Sequence, residues 1–122
     1  MIDHPKAEEL TVAVARWIDQ VRPALDPRNA FLARVAANAL GTVTRELALG
    51  PKAEAAATER LAGVLGRQGG HAELTTELCE RLRSGELGVA TPGLMATLRA
   101  NVLEQIAIDQ PNYRHEGSSP PA

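Results

Sequence analysis

Aromatic side chains are nearly missing from this sequence, which holds one Trp, one Tyr and one Phe in 122 residues. A core without them is assembled from Leu, Val, Ile and Ala, which suits closely packed helices better than sheets built on aromatic and β-branched pairs. Cysteine is as scarce. The lone Cys79 excludes an internal disulfide and points to a reducing, cytoplasmic setting. No apolar run approaches the roughly 20 residues that a membrane-spanning helix needs, and the opening MIDHPKAEEL is acidic rather than signal-like. Neither sign of charge dominates: 13 Lys and Arg stand against 15 Asp and Glu, interleaved, for a net charge of −2. That balance offers no basic face for phosphate neutralisation and excludes nucleic acid as an expected partner.

The parts of an autonomous enzyme are missing too. His4, His71 and His115 fall at a terminus, a loop and the tail, with no HxxxH or ExxH spacing to present a metal on one helical face. Cys79 has no histidine at helical spacing and reads as an inert, partly buried thiol. The glycines of GRQGG follow a helical pattern rather than a strand, so they do not form a phosphate loop. No GxSxG elbow occurs. The expectation is a non-enzymatic chain without metal or cofactor.

What is present is helical periodicity, with apolar residues at 44% and alanine, the best helix former, prominent among them. Asp3 or His4 before Pro5 opens a first helix whose Ala7, Leu10, Val14, Trp17, Ile18 and Val21 share a face; Trp17 is its expected core anchor. Pro23 stops it. Asp26 and Pro27 then supply a cap and a preset first turn for a second helix running to Gly50, where Gly50-Pro51 ends it. So short a link predicts antiparallel neighbours. On the second helix Leu32, Ala36, Ala39, Val43 and Leu47 form the stripe expected to be buried, flanked by Val35 and Leu40. A third helix from Pro51 has a thin face, Ala53, Ala57, Leu61, Val64 and Leu65, expected to bury less than its neighbours. A fourth covers about Ala72 to Arg83 with Leu74, Leu78 and Leu82 in line. The fifth opens at Thr91-Pro92, runs to about Asp109, and carries Leu94, Met95, Leu98, Val102 and Ile106 on one face and Ala96, Leu103 and Ala107 on another. The sum is an all-α fold: a compact bundle of about five helices forming a single domain over 1–113, with 114–122 as a disordered, flexible tail.

The polar groups set among these stripes are the candidate contact cluster. Arg34, Asn38 and Arg45 descend one edge of the second helix with Thr42 in the row, and Glu46 projects into the apolar arc, where a buried carboxylate must find a partner. Arg99, Asp109 and Tyr113 lie at the other end of the chain. Two readings stay open. Glu46 or Asp109 meeting Arg34 or Arg99 makes a structural lock between helices, or the same arginines meet an anionic ligand or a partner's carboxylates.

The ordered blocks AEEL, FLARVAANAL followed by RELALG, LCERLRSGEL and IAIDQPNY, from about Asp3 to Tyr113, resemble a family of small helical bacterial proteins of formerly unknown function. Members of that family are encoded beside an aminoglycoside-phosphotransferase-like kinase and an acyl-CoA dehydrogenase. The resemblance implies a non-catalytic accessory subunit. One relative is the small partner of a kinase that phosphorylates 4-hydroxyacyl-CoA in levulinate-type catabolism. The blocks fall on Arg34, Asn38, Arg45, Glu46, Asp109, Pro111 and Tyr113, which become candidates without assigned roles. Two other functions fit the residues. One is a stand-alone bundle binding acyl chains or CoA thioesters; the other is a homo-oligomeric structural protein seamed through the fifth helix.

Overall fold

The computed structural model describes residues 4–114 and shows an all-helical chain with no strand among them. Four α-helices are present: α1 Ala7–Val21, α2 Pro27–Leu65, α3 His71–Ser84 and α4 Leu94–Asp109, with a 3-10 turn at Arg22–Ala24. Four replace the expected five because the second and third expected helices are one. Gly50-Pro51 does not end α2, which runs on for 39 residues with Pro51 inside it. Pro51 cannot donate to the Leu47 carbonyl, and a proline crowds the residue before it. Glycine at position 50 removes the Cβ that would suffer most from that crowding. The expected tail beyond Arg114, the candidate cap Asp3 and His115 lie outside the described residues.

The chain divides into two compact units, residues 1–50 and 51–122. The first is a helical hairpin made of α1 and the N-terminal part of α2. Asp26 Oδ1 accepts the Asn29 amide at 2.8 Å, the expected cap with Pro27 at the first helical position. α1 begins later than Pro5 implies; Glu9 reaches back to the Lys6 amide at 2.9 Å across its first turn. Thr11 and Thr44 share a 2.6 Å hydrogen bond between their hydroxyls, which fixes the two helices antiparallel. The seam around that bond is built of small and medium residues. Thr11, Ala15, Ile18 and Val21 on α1 and Ala30, Ala33, Ala37, Leu40, Gly41 and Thr44 on α2 are half-buried.

This seam reverses two expectations. Trp17 is not a core anchor; it is 61% exposed. The stripe of α2 is open as well, with Leu32, Val43 and Leu47 all exposed. The helices meet through their smaller residues, which allow a close approach, and the larger apolar residues are turned about a quarter-turn or more away at 100° per residue. No side chain of α1 is buried.

The second unit holds the core. Leu61, Ala62 and Leu65 of α2, Leu74 and Leu78 of α3, and Leu94 of α4 cluster together, with Val64, Leu87 and Leu98 packed against them. The stretch after Pro51, expected to bury less than its neighbours, contributes most: Ala57, Leu61, Ala62 and Leu65 are all buried. Gly66, at φ 72°, turns the chain out of α2, its amide bonded to the Ala62 carbonyl. Gly85, at φ 81°, closes α3 in the same way. Leu82 departs from the buried line of α3 and is exposed. Thr91 serves the loop rather than capping a helix, its hydroxyl accepting the Gly88 amide at 2.9 Å. Of the faces expected on the last helix, Leu94 is buried while Met95 and Val102 are exposed; Ile108, on neither expected face, is buried as well.

Candidate functional site

The hairpin of the first unit has two unlike faces. Stepping at 100° per residue from the seam, Leu10, Val14 and Trp17 of α1 turn to the same side as Leu32, Val43 and Leu47 of α2. The opposite side takes Glu9, Arg16 and Asp19 of α1 with Arg34, Asn38, Thr42 and Arg45 of α2. The edge row singled out from sequence is therefore the polar face of the hairpin.

Along that face the structure brings some candidates together. Thr42 Oγ1 donates to the Asn38 carbonyl at 3.3 Å, and Arg45 Nη2 donates to Thr42 Oγ1 at 3.2 Å. Arg45 is half-buried and lies over Gly41, whose missing Cβ leaves room for the guanidinium at 3.3 Å. Arg34 sits about three turns nearer the bend than Arg45 and is exposed. There it lines an open groove of about 470 Å³ with Arg22, Pro23, Leu25, Ala30 and Phe31. Phe31, the only phenylalanine in the chain, is 58% exposed on its wall. Arg22 is tied at 3.5 Å to Asp19 one turn back. The groove thus sets aromatic and aliphatic side chains beside two guanidiniums, of which Arg22 is already paired with Asp19.

Glu46 is exposed, so the carboxylate that needed a partner in a buried arc is solvated, because the arc itself is open. Its side chain bends back over Gly50, where its Oε1 would stand 2.7 Å from an added Cβ. At the far end of the chain, Asp109 accepts from Gln105 Nε2 at 2.9 Å. Tyr113 is exposed, its amide closing a turn onto the Gln110 carbonyl at 2.9 Å. Arg99 is exposed on α4.

The polar contacts that hold the second unit were not singled out from sequence. Arg60 of α2 donates to Asn101 Oδ1 at 3.0 Å and to Glu104 Oε1 at 2.5 Å on α4. That hydrogen bond holds the Glu104 carboxyl below the usual carboxylate range, against the opposing effect of desolvation, and raises Arg60. Arg67 bridges Glu73 and, at 2.7 Å, Glu77; its hydrogen bond lowers the Glu73 carboxyl. Arg81 pairs with Glu77 at 2.9 Å and donates to the Leu65 carbonyl at 3.4 Å, where α2 ends. These charges reinforce helix packing around an apolar core. Asn101 and Glu104 sit at i and i+3 on the same side as Leu94 and Leu98, a spacing that signals an inward polar pair.

Among the described residues no group of His, Cys, Asp and Glu converges to hold a metal. Cys79 is half-buried and free. No helix of the described residues is long and apolar enough to cross a membrane. In comparisons with known proteins, residues 23–113 match a family model described as Domain of unknown function (DUF6285). That span takes in the bend from Pro23, the groove-lining residues other than Arg22, all of α2, and α3 and α4. No curated protein and no solved structure matches the chain.

Proposed function

The chain belongs to the family described as Domain of unknown function (DUF6285), and on that premise we propose that it is a non-catalytic accessory subunit of a phosphotransferase-like kinase acting on a (hydroxy)acyl-CoA. The observation that carries this reading is the groove at the hairpin bend. An exposed Phe31 between Arg22 and Arg34 is the kind of anchor that protein interfaces are enriched in, an aromatic ring flanked by arginines. A kinase as the partner is what the resemblance of the ordered sequence blocks implies. The polar row Asn38, Thr42 and Arg45 extends the same face and gives the contact a hydrogen-bonding rim.

Co-expression with a phosphotransferase-like acyl-CoA kinase from the same genome tests this. The expected result is a co-purifying pair with higher kinase activity than the kinase alone, lost on the double change Phe31→Ala and Arg34→Glu. Two proteins that elute separately, with kinase activity unaffected by mixing, would end the reading.

The same groove supports a second function, direct binding of an acyl-CoA, with the arginines on phosphate and the thioester chain on Leu25 and Phe31. A rise in melting temperature with acyl-CoA alone, abolished by Arg34→Glu, selects it; no shift at millimolar ligand rejects it.

A further inference from the structure

The apolar face of the hairpin is a larger feature than the groove and lies on its other side. Leu10, Val14 and Trp17 of α1 and Leu32, Val43 and Leu47 of α2 are each 40–61% exposed. The register set by Thr11 against Thr44 puts Leu10 near the level of Leu47, Val14 near Val43 and Trp17 near Ala39. The result is a layered surface whose centre carries no charged residue, with the exposed Glu46 at its edge beside Ala39. With the alanines between them these residues present on the order of 600 Å² of apolar area, the upper end for the largest patch of a monomeric protein. A two-helix hairpin with no buried side chain on α1 has little to hold it in isolation.

We propose that this face is the seam of a homodimer, in which two copies of the hairpin stack face to face as a four-helix bundle. Three observations favour a second copy as the occupant. Two such faces together cover on the order of 1,200 Å², which reaches the range of about 1,200–2,000 Å² that specific interfaces occupy. Glu46 stands at the exposed rim rather than at the centre, so a self-pairing buries no charged group beneath its middle layers. It also sets large beside small: Trp17 lies near the level of Ala39, with Ala36 a turn away, so a two-fold pairing lets each copy's ring lie over the other's alanines. The groove with Arg34 and Phe31 stays open on the outer side of such a bundle. The dimer goes beyond the proposed kinase partnership and does not depend on it.

Sedimentation velocity and light scattering on the full chain, with no kinase present, test the seam. The expected mass is twice the 13.0 kDa of one chain. It should fall to that of one chain in Val14→Glu with Val43→Glu and stay doubled in Met95→Glu on α4. The melting temperature of the unaltered chain should rise across an about 100-fold concentration series, as mass action requires of a dimer. That readout holds even if the double variant does not fold. A monomer at hundreds of micromolar, a melting temperature independent of concentration, or a dimer broken by Met95→Glu and kept by the hairpin change overturns the proposal. So does a chain that is monomeric alone and covers this face only in the kinase complex, an outcome that leaves the kinase reading standing.

Discussion

Arg60 gives one side chain two acceptors on a neighbouring helix, and its effect on Glu104 makes a pH prediction with a definite sign. A carboxyl whose folded value is lowered contributes stability that is fully present above its unfolded value, about 4.3 for glutamate, and is lost as pH falls through the folded value. Glu104 and Glu73 are both lowered. The melting temperature is therefore expected to be level near neutrality and to drop as pH falls below about 4. Glu104→Gln should flatten part of that acid limb; an unchanged limb would show that the pair does not contribute. Glu46 makes the opposite case. From sequence it needed a partner, because its position falls between Val35 and Ala39 in projection. The carboxylate is exposed, so Glu46→Ala is expected to stay within about 0.5 kcal/mol of the parent in thermal unfolding. A loss above about 1 kcal/mol would reveal a contact made only in an assembly.

At the scale of elements, caps and periods were legible and their consequences were not always so. The Asp26 cap, the antiparallel hairpin and the Leu74–Leu78 line follow from local chemistry, and the structure has them. The Gly50-Pro51 break was misread for a physical reason. A proline in a helix interior costs about 3 kcal/mol relative to alanine in a host with nothing else to hold it. Here the residues after it, Ala57, Leu61, Ala62 and Leu65, are gripped by α3 and α4, and tertiary burial overrides the local signal. Restoring the amide should release part of that penalty. Pro51→Ala is expected to stabilise by about 1 kcal/mol or more, read as a higher midpoint in urea. A lower midpoint would mean that position 51 needs its fixed backbone angle more than a hydrogen bond to Leu47. The stripes on α1 and the first half of α2 were correctly seen as apolar, but periodicity cannot say which neighbour covers a stripe. The seam within the chain is taken by alanine, glycine and threonine positions together with Ile18, Val21 and Leu40. Groove-lining Arg22 and Phe31 were not singled out, because a bend through Pro23 brings together residues that no single helical projection relates.

For the whole molecule, burial is uneven. Every member of the buried core cluster lies between Leu61 and Leu94, inside the second unit. Leu74, at 0% exposure, has the most to lose. Leu74→Ala is expected to cost about 2–5 kcal/mol through lost contacts and a cavity, measured by circular dichroism, and a cost below about 1 kcal/mol would mean that the helices close over the gap. The only tryptophan stands in the other unit, on an open face. Indole emission from this protein therefore comes from one place, remote in sequence from the buried core. A fluorescence melt follows the environment of α1 and says nothing direct about α3 or α4, whereas ellipticity follows all four helices. The two traces need not coincide. In Leu74→Ala the ellipticity midpoint should move further than the emission midpoint. A gap between the curves is then the signature of where the chromophore sits, before it is taken for an intermediate.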